Sequence, residues 1–276
     1  LLVADTTPTP YAGVNAVLAE LLGGVQAILR ERLLGMYLYG SLALGDFDPD
    51  SSDVDFLAVA DEDLPPDTVA ALMALHERIF ALDSPWAKEL EGSYVPQAAL
   101  RRFERANARH PHIDRGEAEL SVQQYEVDSV FQRYVLREHG VTLLGPPPAV
   151  WMDPITADDL REATLELMRI WWAPMTSNPE RLYHPGYQAY AVLTMCRMLY
   201  TLDRGSVVSK PAAARWAIAT QDARWAPLIE RALEWRRDDE VDRTGDVPET
   251  RELIRYVAAR CREDGWGHRP PTGEAV

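Results

Sequence analysis

Apolar residues recur at helical spacing through residues 14–34, at Val17, Leu18, Leu21, Leu22, Val25, Ile28 and Leu29, which predicts an amphipathic helix. A short run over 35–39 then suits a strand and stops at Gly40 and Ser41. Residues 46–52 are rich in Asp, Ser and Pro and read as a turn, and 54–59 as a second strand. Pro65, Pro66 and Asp67 open a helix over 67–82, and residues 90–95 form a third strand ended by Pro96. Residues 97–120 are mixed and polar and read as a connecting region. Beyond Ser121 the pattern predicts helices at 122–138, 157–172, 186–203, 210–220, 223–237 and 248–263, with Gly205 placed to end one of them. The fold expected is α+β: a mixed sheet flanked by helices over residues 1–115, followed by an all-helical bundle over 116–276.

The candidate chemistry lies between the first two strands. Gly40 and Ser41 end one strand, and Asp53 and Asp55 open the next. Alternate strand residues share a face, so the two carboxylates stand together. Such a pair repels itself unless a cation lies between its members, and Mg2+ takes hard oxygen ligands together with substrate phosphates. Gly40 has no side chain to keep a phosphate away, and Ser41 adds a hydroxyl and a backbone N–H.

Composition narrows the partners. A formal net charge of -15 disfavours a nucleic-acid partner, while a cationic substrate would be drawn to an acidic cleft. Two cysteines make neither a zinc cluster nor a disulfide framework, and Cys196, in an apolar helical run, is expected as a buried free thiol. No apolar stretch is read as reaching membrane-spanning length, and residues 1–10 lack the features of a secretory signal. A cytoplasmic monomer with no membrane partner is expected.

The Gly40, Ser41, Ser52, Asp53, Asp55 pattern between apolar strands resembles the signature of the nucleotidyltransferase superfamily related to DNA polymerase β. More of the chain, residues 30–260, resembles the aminoglycoside adenylyltransferases of the streptomycin and spectinomycin 3''/9 type. In the amino half the likeness rests on 38–41, 52–55 and Leu90 with Glu91. In the carboxy half it rests on 140–146, on 192–194 with Arg197 and Tyr200, and on 208–217.

The resemblance implies transfer of AMP from ATP to a hydroxyl of a small acceptor, with Mg2+ as cofactor. Asp53, Asp55 and Glu91 would hold the metal, with Glu91 also the general base and Glu89, on the same strand face, its rival. Gly40, Ser41, Ser52 and Lys210 would meet the triphosphate, Trp235 the adenine, and Asp128 a further ATP-side contact. Trp171 would meet the acceptor, with Tyr187 nearby. The resemblance also implies acids after that tryptophan, yet residues 172–190 contain no Asp, and Glu180 is their one acid. Tyr183, Tyr187 and Tyr190 stand there instead, so the transfer chemistry carries over better than the antibiotic specificity. An acceptor that is another metabolite or a protein hydroxyl, or a silent nucleotide-binding module, are the alternatives.

Overall fold

A computed structural model describes residues 7–102, 104, 109–124, 129–235 and 244–263. Contacts divide the chain into two compact units, Leu1–Pro154 and Ile155–Val276.

In unit 1 the chain runs α1 (Ala12–Leu29), β1 (Leu33–Leu38), α2 (Gly40–Ala43), β2 (Val54–Ala60), α3 (Pro66–Phe80), β3 (Leu90–Pro96), α4 (Gln97–Leu100), β4 (Arg109–Ile113), β5 (Ser121–Gln124), α5 (Ser129–His139) and β6 (Val141–Leu144). The strands form one mixed sheet in the order β5-β4-β3-β2-β1-β6. Among the described strands only β2 and β3 run parallel; α3 crosses between them and packs on α1. Alternation sorts the sheet into two faces. Met36, Leu38, Val54, Phe56, Ala58, Leu90 and Tyr94 join one apolar core with Val17, Leu21 and Val25 of α1 and Leu72, Leu75 and Ile79 of α3. The alternate positions, Asp55 and Leu57 of β2 and Glu91 and Ser93 of β3, line the other face.

The helix expected across 14–34 ends earlier. Arg30 takes a positive φ of 53°, a 3-10 turn follows, and Leu33 already pairs with Ala60 in the sheet. Against the expectation of no membrane-length apolar stretch, Ala12–Arg32 reaches mean hydropathy 1.5 over a long enough span. Its apolar face, including Val14, Leu18 and Leu29, is buried in the sheet's core. The connecting region expected over 97–120 contains α4 and β4, and the start of the helix expected at 122 is β5. The buried residues of β4 are His110, His112 and Ile113, and Pro111 stands between the histidines, so Ile113 alone is apolar on its core face and no alternation announces the strand. Because β5 and β6 complete this sheet and α5, between them, packs on α2, the division falls after Pro154, beyond the 115/116 boundary read from the sequence.

Unit 2 is helical: α6 (Ala157–Leu167), a π-helical turn Met168–Trp172, α7 (Ala173–Met175), α8 (Pro185–Arg204), α9 (Lys210–Thr220), α10 (Ala226–Trp235) and α11 (Val247–Glu263). Thr156 and Asp159 form a reciprocal capping box that starts α6. The helix expected at 157–172 thus contains a π turn and continues to Met175. Gly205 closes α8 in the left-handed region, φ 64°, its N–H bonding Thr201 O at 2.8 Å. The central α8 packs against α6, α9, α10 and α11, with Val192, Leu193, Met195 and Cys196 fully buried. Cys196 is a free buried thiol, and burial pushes its pKa up to about 12.

One buried pair ties α3 to β3. His76 Nε2 and Tyr94 Oη share a hydrogen bond of 2.8 Å beneath the stacked ring of Phe56. Burial lowers the His76 pKa to about 4. The unfolded chain therefore takes up a proton near pH 6.5 that the folded chain refuses until about pH 4. Stability is complete above pH 6.5 and falls as the pH drops through that window, with ~2 kcal/mol lost by pH 5. Urea midpoints at pH 7.5 and 5 should fall more for wild type than for His76→Gln, which keeps a hydrogen-bonding group without titrating. Equal falls would refute the burial argument.

Candidate active site

Three strand positions bring three carboxylates together. Asp53 precedes β2, Asp55 is its second residue, and Glu91 is the second residue of β3. Parallel pairing sets Asp55 directly opposite Glu91. Each of the three offers a carboxylate oxygen, and these oxygens lie within 4.8 Å of one another at half-buried positions. That is a hard-oxygen donor set of the kind that holds a divalent cation. Glu89, expected on the same strand face as Glu91, instead precedes β3 at the end of a 3-10 turn (φ -95°, ψ 1°), stands outside this group and is ion-paired with Arg115.

Gly40 closes the other side of Asp55. It has φ +60°, and a Cβ added there would collide with the Asp55 carboxylate. Both its backbone conformation and this close approach therefore call for glycine. Tyr39 N–H donates to Asp55 O at 3.2 Å, which fastens the start of α2 to β2. The Ser41 hydroxyl is buried with no hydrogen-bond partner, a cost that an oxygen-rich ligand would remove. The Ser129 hydroxyl, at the start of α5, is likewise buried and unpartnered, and α5 packs against α2. Ser129 was not singled out from the sequence, which placed it inside the helix expected over 122–138. Ser52 closes the preceding turn: its N–H donates to Asp48 O at 2.8 Å and its Oγ accepts from Asp48 N–H at 3.0 Å. The Ser52 O–H proton remains able to donate.

The face that carries Glu91 continues as a polar chain. Ser93 Oγ lies 2.7 Å from His112 Nδ1, and His112 Nε2 lies 3.4 Å from Asp114. Burial lowers the His112 pKa, and the charge of Asp114 works against that shift.

The remaining candidates are in unit 2. Lys210 is the first residue of α9, which Ser209 caps by accepting from Ala212 N–H at 3.2 Å; Lys210 Nζ lies 5.1 Å from the centre of the Tyr190 ring. Trp235 ends α10, nearly buried, with the Arg231 guanidinium 5.9 Å from its ring. Trp171 and Tyr187 meet directly, the indole N–H donating to the Tyr187 hydroxyl at 3.0 Å. Arg181, which no sequence pattern singled out, stacks 4.7 Å from the centre of the Trp171 ring. Asp128 lies outside the described residues.

Comparison with known proteins agrees with this architecture. Residues 20–136 match the model of a nucleotidyltransferase domain, and residues 150–260 match that of the aminoglycoside adenylyltransferase C-terminal domain. An aminoglycoside (3'') (9) adenylyltransferase of Escherichia coli is 27% identical over 259 residues, spanning 89% of this chain and 94% of the relative. A spectinomycin 9-adenylyltransferase of Staphylococcus aureus is 25% identical over 245 residues, spanning 84% of this chain and 89% of the relative. The crystal structure of a spectinomycin adenyltransferase from Enterococcus faecialis, solved with ATP and spectinomycin, superposes with a TM-score of 0.69. It covers 90% of this chain and 98% of that one, and at 17% identity the likeness speaks for the fold. The chain thus joins a match to the nucleotidyltransferase domain in its amino half with a match to the aminoglycoside adenylyltransferase C-terminal domain in its carboxy half, and it is similar nearly end to end to aminoglycoside adenylyltransferases.

Proposed function

We propose that this protein transfers AMP from ATP to a hydroxyl of a small acceptor, an aminoglycoside or aminocyclitol antibiotic or a related compound, with Mg2+ as its metal. The observation that carries this reading is the meeting of Asp53, Asp55 and Glu91 beside Gly40 and the unpartnered Ser41 hydroxyl. The names of the relatives support the reaction, and the ligands of the solved neighbour support ATP and a spectinomycin-like acceptor. The all-carboxylate donor set suits Mg2+, which usually arrives with substrate phosphates. Bound there, Mg2+ would neutralise phosphate charge and polarise the α-phosphate.

The chain's own residues supply the rest. Asp53, Asp55 and Glu91 would hold the metal–triphosphate in place, and the Ser41 and Ser52 hydroxyls would donate to phosphate oxygens. Glu91 accepts the proton of the acceptor hydroxyl as its oxygen attacks the α-phosphorus. The bond from that phosphorus to the bridging oxygen breaks, pyrophosphate leaves with the electron pair, and AMP is joined to the acceptor as a phosphodiester. Lys210 is assigned to the phosphates as a mobile point charge, Trp235 to the adenine, and Trp171 and Tyr187 to the acceptor. Asp128 is kept as an ATP-side contact. The reaction needs neither nucleic acid nor membrane, and a cytoplasmic monomer suffices. The absence of Asp from residues 172–190 favours a second reading, the same transfer onto a different small metabolite.

Incubation with ATP, Mg2+ and candidate acceptors should release pyrophosphate and give an acceptor heavier by AMP in the mass spectrum. Tight ATP binding without turnover on any acceptor would instead indicate a silent nucleotide-binding module. Asp53→Asn should lower transfer by at least ~10³-fold while its urea midpoint stays level or rises, because a like-charge contact is relieved. Turnover close to wild type would remove the metal assignment. Glu91→Gln should slow turnover by ~10²-fold or more with ATP binding largely kept, and Glu89→Gln should change kcat little. The opposite ranking would move the base to Glu89.

A further inference from the structure

Seven large apolar side chains stand exposed among the described residues, and four of them, Ile170, Trp171, Tyr183 and Tyr190, fall between residues 170 and 190. Scattered singly they would need no explanation; gathered on one stretch they mark a binding face. The stretch also contains the π-helical turn Met168–Trp172, a rare geometry that recurs at functional sites. Behind Trp171, the Trp172 ring is buried 5.6 Å from that of Tyr190, and its indole N–H has no partner. This much describes a platform of rings with an unsatisfied donor behind it.

The platform already carries a cation. The Arg181 guanidinium lies 4.7 Å from the centre of the Trp171 ring, whose N–H holds the Tyr187 hydroxyl at 3.0 Å. The same guanidinium acts on that hydroxyl by charge and by hydrogen bond, opposing the upward shift that burial gives Tyr187. No carboxylate among the described residues is ion-paired with Arg181. At the far side, Lys210 Nζ stands 5.1 Å from the Tyr190 ring, itself 5.5 Å from that of Tyr187. In a protein with net charge -15, the outer rings of this platform face the chain's own positive charges.

We infer that Arg181 occupies the stacking place on Trp171 that an acceptor's guanidinium would take, so that the platform selects guanidinium-free acceptors presenting a hydroxylated ring. The inference rests on the adenylyltransferase reading and on Trp171 and Tyr187 meeting the acceptor. An aromatic face offers one good seat to a flat cation. A second guanidinium must either displace Arg181 or stand beside it against like-charge repulsion, with Glu180 the one acid in residues 172–190 to offset either cost. A hydroxylated ring meets no such conflict: Arg181 offers it N–H donors, and Tyr187 a hydroxyl that both donates and accepts.

The test compares full-length wild type, Arg181→Gln and Arg181→Glu by calorimetry, with Mg2+ and a non-transferable ATP analogue present. The probes are guanidinium-free spectinomycin and guanidinium-bearing streptomycin. Wild type should bind spectinomycin at least ~10-fold more tightly than streptomycin. Arg181→Gln, which only removes the charge, should tighten streptomycin by ~3-fold, and Arg181→Glu, which reverses it, by ~10-fold or more. Wild type that binds streptomycin as well as spectinomycin overturns the inference. So does an Arg181→Glu protein whose streptomycin affinity stays within ~2-fold of wild type, or a wild type that binds neither probe. Failure of the underlying reading shows separately, as wild type that releases no pyrophosphate with any acceptor whatever the calorimetry reports.

Discussion

The parallel pairing of β2 with β3, in the register that sets Asp55 opposite Glu91, is the constraint on which the rest of unit 1 depends. It forces carboxylates together on one side of a sheet, an arrangement that like charges resist in the absence of a cation. Strands hold such an arrangement better than loops because the ladder on each side fixes the backbone. Here β1 and β4 flank the pair, while α1 and α3 cover the opposite, apolar face. A slip of one residue in this register would turn Glu91 into the core and bring Leu90 or Gly92 beside Asp55.

The same register explains features that otherwise look unrelated. The Asp55 carboxylate fills the space a Cβ at residue 40 would need, so glycine follows from the position of the acid and not only from the turn. Beside Glu91 on its strand face, Ser93 meets His112, which in turn meets Asp114. That side of the sheet therefore stays polar well beyond the three carboxylates, and β4 turns its histidines toward it. His76 and Tyr94 answer from the opposite face, where a single hydrogen bond satisfies two buried polar groups among apolar neighbours.

What the sequence disclosed and what it concealed follow from how local each signal is. α1, β1, β2, α3 and β3 were legible because their apolar positions keep a period of 3.6 or 2. The acid pair was legible because Asp53 and Asp55 sit two apart at the mouth of a strand. β4 and β5 were not, since β4 alternates two histidines with a central proline and gives the core Ile113 alone, while β5 is four residues long. The choice between Glu89 and Glu91 was beyond any alternation argument, because a strand extended back to residue 89 would put both on one face; the strand in fact starts at Leu90. Arg115, brought back near β3 through the loop after β4, engages Glu89 and leaves Glu91 with the aspartates. The π turn was equally hidden, because one residue added to a helical turn barely disturbs an apolar stripe.

The two units keep their properties in different ways, and this bears on what a distant relationship transmits. In unit 1 the candidate chemistry is tied to backbone register: moving a carboxylate means moving a strand, and the core of α1 and α3 resists that. A substitution that displaces one of these carboxylates must also disturb the sheet that carries it. In unit 2 the exposed rings of Trp171 and Tyr190 ride on helices whose cores are filled by other residues, Trp172 and Leu193 among them. Arg181 can appear over Trp171, or an acid can be lost from the following segment, with no strand or helix displaced. A change on that surface costs little stability. On the proposed assignment of Trp171 and Tyr187 to the acceptor, acceptor choice is therefore free to drift on unit 2 while a chemistry tied to the register of unit 1 stays fixed.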